Sequence, residues 1–168
     1  MAARTLVAVV YAGRDPAYRS KEKYLNLLKK LAYERKDSWG MVMLGIVFGG
    51  GEHRNWIEAE SFSATDFAEF NNESEGLRLI EEGVKLDKSD DVDMKLNWED
   101  ILAIGGIYYN RFKRGKESGT ANLDDQRKAV EYWEKSLALI PPDEKEIILL
   151  IEKMIGSTKD EVFYHEKA

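Results

Sequence analysis

The chain has 168 residues, of which 25 are basic and 31 acidic, giving a formal charge of −6. At 43% hydrophobic and 33% charged residues it can bury a core and is far from the composition of a disordered chain. The acidic balance argues against nucleic acid or an anionic membrane as the main partner, and the absence of cysteine excludes disulfides, thiolate metal sites and thiol nucleophiles. A single domain over 1–168 is the expectation from length. Residues 6–11 are too short for a signal h-region, and the longest apolar run, 41–48, falls well below the roughly 20 residues of a membrane span. No membrane span and a cytoplasmic location are therefore expected.

Taken in chain order, apolar residues recur at spacings of three and four, and prolines occur only at Pro16, Pro141 and Pro142. Both features predict an all-α chain. Helices are expected near 3–12, 17–35, 38–49, 73–86, 98–113, 123–139 and 143–155, with Gly156 as the final stop. Asn72 with Glu75, Asn97 with Asp100, and Asn122 with Asp125 each pair an N-cap with an acid three residues on; Asp37 or Ser38 caps the segment at 38. Residues 6–11 are read as helix, although their β-branched content also suits a buried strand.

The helices alternate as short pairs, and a repeat runs through them. Its clearest copy, 101–141, has Ile104-Gly105 and Tyr108 in the first helix, then Ala129, Trp133 and Ser136 in the second, closed by Pro141. Small residues let the paired helices approach while the aromatic residues fill the space between them. A second copy has Leu44-Gly45 and Phe48, then Gly76, Ile80 and Gly83 after a long insertion, with Lys88 in place of the proline. A third fits Val7, Ala8 and Tyr11 with Ser20, Tyr24 and Leu27.

These offsets resemble the tetratricopeptide repeat, and the run from Asp125 through Lys128, Ala129, Tyr132, Trp133 and Lys135, after a longer loop, is similar to its Sel-like subclass. The resemblance implies an array of helical hairpins with about three repeats, near 3–36, 38–88 and 98–141. A long aromatic insertion and a capping helix at 143–156 complete it. In that cap, Ile147, Leu150, Ile151 and Met154 would seal the end of the array.

Members of the family hold ligands mostly with first-helix side chains on the concave face. The corresponding positions are Ala2, Thr5, Val9 and Ala12; Trp39, Val42, Ile46 and Gly49; and Glu99, Leu102, Gly106 and Tyr109. The Lys, Asn and Arg side chains with which chaperone-binding members clamp a peptide carboxylate are replaced by Thr5, Val9, Met43, Glu99 and Ala103. The expected site is instead an apolar groove of Trp39, Val42, Ile46, Leu102 and Tyr109. Its filler is a partner segment, a second copy of the chain, or residues 51–71, which carry Trp56, Ile57, Phe62, Phe67 and Phe70. Ser63 and Thr65 could cap a short helix near 66–70.

Other constellations carry less chemistry. His53 and His165 lack companions at ligand spacing. Glu52 and His53 beside Glu58 and Glu60 read as a polar loop. Asp87, Ser89, Asp91 and Asp93 have the alternation of a calcium loop, but Val92 stands where its Gly belongs and Trp98 where its Glu belongs. Gly49-Gly50-Gly51 follows a helix and reads as a helix stop. Arg111, Lys113, Arg114 and Lys116 around Phe112 read as solvated charge at a helix end.

The resulting expectation is a non-enzymatic adaptor that binds an apolar peptide or helix, with no cofactor and no metal, and with a homodimer possible. Its alternatives are a homo-oligomeric structural protein and a small enzyme using buried carboxylates such as Glu99 or Glu52.

Overall fold

The computed structural model describes residues 20–50, 64–87 and 95–166, and all regular structure among them is helical. The described residues fall into two compact units, divided between Leu96 and Asn97, and each is described by itself. The expected helix at 3–12, and with it the first helix of the first repeat, lies outside the described residues.

In the first unit, helix α1 spans Lys21–Lys29, its N-terminus capped by Ser20 Oγ, which accepts from the Lys23 amide at 3.3 Å. The sequence predicts an uninterrupted helix to 35, but Lys30–Glu34 form a π-helical turn. The wide turn carries Leu31 and Ala32 into the core, with Leu31 against Gly40, and leaves Tyr33 at the surface. Lys36 then takes a left-handed conformation (φ 51°), and the Asp37 amide reaches back to the Leu31 carbonyl at 2.9 Å.

Helix α2 spans Ser38–Phe48, and the cap is Asp37, whose carboxylate accepts from the Gly40 amide at 2.8 Å. Every residue from Gly40 to Val47 is buried. A helix apolar on all sides belongs at the centre of its unit. Helix α3, Glu73–Leu86, begins at the predicted Asn72 cap and buries Gly76, Leu79, Ile80 and Gly83, a stripe at helical spacing. Its glycines let α2 come to within backbone contact: a Cβ on Gly83 would lie 2.8 Å from the Ser38 carbonyl oxygen and 2.9 Å from Val42 Cγ2. A short 3-10 segment, Ala64–Phe70, lies near the helix expected at 66–70. Its Phe67 is buried with its ring 5.8 Å from that of Tyr24.

In the second unit, helix α4 spans Trp98–Ser118 and opens on the full capping box of Asn97 and Asp100. It runs five residues past the predicted end at 113, to Gly119 in a left-handed conformation (φ 74°) that a glycine adopts without a Cβ clash. Helix α5, Leu123–Leu137, starts at Asn122, whose side chain accepts from Asp124 at 2.9 Å. The expected acid of that cap, Asp125, instead faces Arg111 across the hairpin at 3.4 Å.

The two helices are antiparallel, as the pairing of Trp98 with Ser136 and of Gly105 with Trp133 requires. Ile104, Ile107, Tyr108 and Phe112 are buried with Ala129, Val130, Trp133 and Ser136 in the core of this unit. Ser136 is 0% exposed and donates to the Trp98 carbonyl at 2.7 Å, so its hydroxyl is satisfied inside the core.

Helix α6 spans Lys145–Glu166, so the expected stop at Gly156 is overruled. A glycine inside a helix costs only about 1 kcal/mol relative to alanine, and tertiary ties beyond it offset that. Buried Gln126 donates to the Thr158 carbonyl at 2.8 Å, and Glu161 pairs with Lys116 at 3.1 Å. The face that α6 buries holds Ile151, Ile155 and Thr158. Leu150, expected to seal the array, is 55% exposed and Leu149 is 65% exposed.

A candidate cleft on the second unit

The five residues of the expected groove fall in different places. Val42 and Ile46 are 0% and 1% exposed, so neither offers a side chain to a partner. The physical reason is the glycine crossing: Val42 points at Gly83 of α3, where no Cβ intervenes. Trp39 is half-buried in the first unit, and Leu102 and Tyr109 are half-buried on α4 in the second. Of the insertion at 51–71, Trp56, Ile57 and Phe62 lie outside the described residues.

Tyr109 lines a cleft of about 260 Å³ together with Lys113, Lys116 and Glu117 of α4 and Glu161 of α6. Helical spacing stacks Tyr109, Lys113 and Lys116 on one side of α4. The Tyr109 ring is fixed from behind by Trp133, with ring centres 5.3 Å apart and tilted by 55°. Lys113 Nζ sits 5.8 Å from the Tyr109 ring centre, and the Lys116–Glu161 pair bridges the two helices at 3.1 Å. The arrangement is an aromatic surface with charges of both signs around it. Such a cleft can hold one side chain of an incoming segment on the ring while charged groups meet its backbone or flanking charges.

The run from Arg111 to Lys116, expected as solvated charge at a helix end, lies inside α4 and its members face different ways. Phe112 is in the core, Arg111 meets Asp125, and Lys113 and Lys116 belong to the cleft. The missed residue is Glu161, because its place across from Lys116 exists only once α6 continues past Gly156. Tyr109, Lys113 and Lys116 share a signal that sequence could have shown, their spacing of four and seven residues.

Two further clusters are electrostatic. In the first unit Arg78 forks onto Glu75 with two bonds of 2.8 Å and reaches Glu82 at 2.6 Å, while the Tyr33 hydroxyl donates to Glu75 at 2.9 Å. The Arg78 hydrogen bonds hold the Glu75 carboxyl below its ordinary range, and Glu75 in turn holds the Arg78 guanidinium more firmly protonated. Burial, with the neighbouring Glu75, pushes the Tyr33 phenol up to about 12. This network ties the π-helical turn to α3.

In the second unit, burial pushes the Glu99 carboxyl above its ordinary range, and the nearby charge of Glu144 adds to the shift. A carboxyl held in this way keeps its proton longer as pH rises.

Among the described residues no group of three or more His, Asp or Glu is placed to hold a metal ion. Of the calcium-like run, residues 88–94 lie outside the described residues; Asp87 uses one carboxylate oxygen to accept from the Leu96 amide at 3.3 Å. His53 lies outside the described residues, and of His165 only the backbone, in α6, is described. Gly49 caps α2 and Gly50 follows at φ 72°, in keeping with a helix stop. Among the described residues no helix is long and apolar enough to cross a membrane. Comparison with family models, curated proteins and solved structures finds no match to this chain.

Proposed function

We propose that the chain is a non-enzymatic, tetratricopeptide-like binding module, and that its partner is a peptide segment seated between α4 and α6. The observation that carries the reading is the cleft at Tyr109: a half-exposed ring, backed rigidly by Trp133, between two helices of one unit. Rigid aromatic anchors of this kind dominate the energetics of peptide contacts. The cleft lies between helices and carries both signs of charge, which suits a segment bearing an apolar or aromatic side chain with polar neighbours. Support for the repeat reading comes from Gly105, Tyr108, Ala129, Trp133 and Ser136, all buried at the crossing of α4 and α5 where the repeat pattern puts its small and aromatic positions.

The test is selection of binders from a displayed peptide library against the full chain. Selected peptides should share a motif and lose at least about tenfold in affinity, roughly 1.4 kcal/mol, against Lys113→Glu and Tyr109→Ala. Lys113 is exposed, so its variant separates a loss of binding from a loss of fold. Peptides that bind both variants as they bind the parent would move the site elsewhere, and a library that yields no binder would count against a peptide partner.

A further inference from the structure

Helix α6 has a second apolar feature that its contact with α5 does not use. Leu149 and Leu150 are 65% and 55% exposed, whereas Ile151, Ile155 and Thr158 are buried. At 3.6 residues per turn, Glu146, Leu149, Leu150 and Lys153 share about 100° of arc on an outer face of the helix. Both charged residues are exposed, and neither makes a salt bridge among the described residues. Adjacent exposed leucines are a small contact surface; the charges flanking them say what it fits.

The order Glu146, Leu149, Leu150, Lys153 is complementary to itself when reversed. An antiparallel copy of α6, related by a two-fold axis between Leu149 and Leu150, puts Glu146 of one chain opposite Lys153 of the other, and does so twice. The four leucines meet between those pairs. A parallel copy would set Glu146 against Glu146 and Lys153 against Lys153, so the charges select the antiparallel arrangement. That arrangement is the closed, isologous one that two-fold dimers use. The axis lies five residues from the start of α6 at Lys145, so residues 145–154, about 15 Å of helix, pair with the same residues of the second copy.

We propose that the outer face of α6 is a homodimer contact, in which Leu149 and Leu150 pack across a two-fold axis and Glu146 pairs with Lys153 of the second copy. This surface is separate from the Tyr109 cleft, which uses Glu161 farther along the same helix, and the proposal stands independently of the peptide reading. One contact of this size is at the small end of specific interfaces, so association should be weak and concentration-dependent.

The experiment is sedimentation equilibrium of the full chain at up to about 300 µM, a range chosen for such weak contacts. The parent should associate to a dimer. Glu146→Lys and Lys153→Glu, each alone, place like charges across the axis and should weaken association at least about tenfold. An equimolar mixture of the two variants places lysines opposite glutamates at both ends and should restore a heterodimer. Restoration also shows that both variants are folded. A parent that stays monomeric throughout the range overturns the proposal, as does either variant associating like the parent, or a mixture that fails to recover.

Discussion

Gly45 and Gly76 face each other across α2 and α3 such that a Cβ on either would strike the other's carbonyl oxygen, at 2.7 Å from Gly45 and 2.8 Å from Gly76. The contact is backbone to backbone, so no rotamer change can make room. Either Gly→Ala change should therefore destabilise the chain by about 1 to 3 kcal/mol, the range for forced overpacking. Gly106, in the middle of α4, has nothing within 4 Å of its Cβ position. There the same substitution should stabilise by up to about 1 kcal/mol through helix propensity. Urea unfolding of the three variants checks the contrast, and equal effects at all three sites would contradict the crossing.

Trp133 is 1% exposed and packs on Gly105, with the Tyr109 ring beside it. Trp133→Ala should cost about 3 to 5 kcal/mol. A loss under about 0.5 kcal/mol, typical of a surface change, would remove the residue from the core.

The raised Glu99 carboxyl gives one sign of pH dependence. With its folded pKa above the unfolded value, the folded chain binds more protons between the two, so stability falls as pH rises through that window. Glu99→Gln removes the penalty of the charged form. Its melting temperature should exceed the parent's at pH 7 and lose that advantage near pH 4. An advantage of equal size at both pH values would assign the gain to something other than ionisation.

Glu75 gives the opposite sign. Its folded carboxyl is depressed by the Arg78 fork, so its contribution is present above the unfolded value and is lost as pH falls through the folded one. Because the pair is partly exposed, Glu75→Gln should cost only about 0.5 to 1 kcal/mol at pH 7. The deficit should shrink toward pH 3. Hydrogen exchange should show the π-helical turn at Lys30–Glu34 opening more readily in the same variant, since Tyr33 loses its acceptor charge.

Much of what the amino-acid order alone determined is local. Asp37, Asn72, Asn97 and Asn122 start helices because each cap is a bond to an amide two or three residues ahead, and no distant residue is needed to form it. The small and aromatic positions Gly105, Tyr108, Ala129, Trp133 and Ser136 were legible for a related reason: helical spacing puts them on the two facing stripes of a hairpin. Tyr109 was named through the repeat resemblance, as one of the first-helix positions that hold ligands in that family.

Tertiary structure decided the rest. Whether Val42 lines a groove or fills a core depends on Gly83, some forty residues away, lacking a side chain. Whether α6 stops at Gly156 depends on Gln126 and Lys116 holding its second half, and only that continuation brings Glu161 to the Tyr109 cleft. The π-helical turn is likewise tied to distant residues, with Leu31 against Gly40 and the Tyr33 hydroxyl on Glu75. A propensity of a few tenths to about 1 kcal/mol per residue sets a helix's starting point, but burial and long-range bonds of comparable or larger size set where it ends and which face it hides.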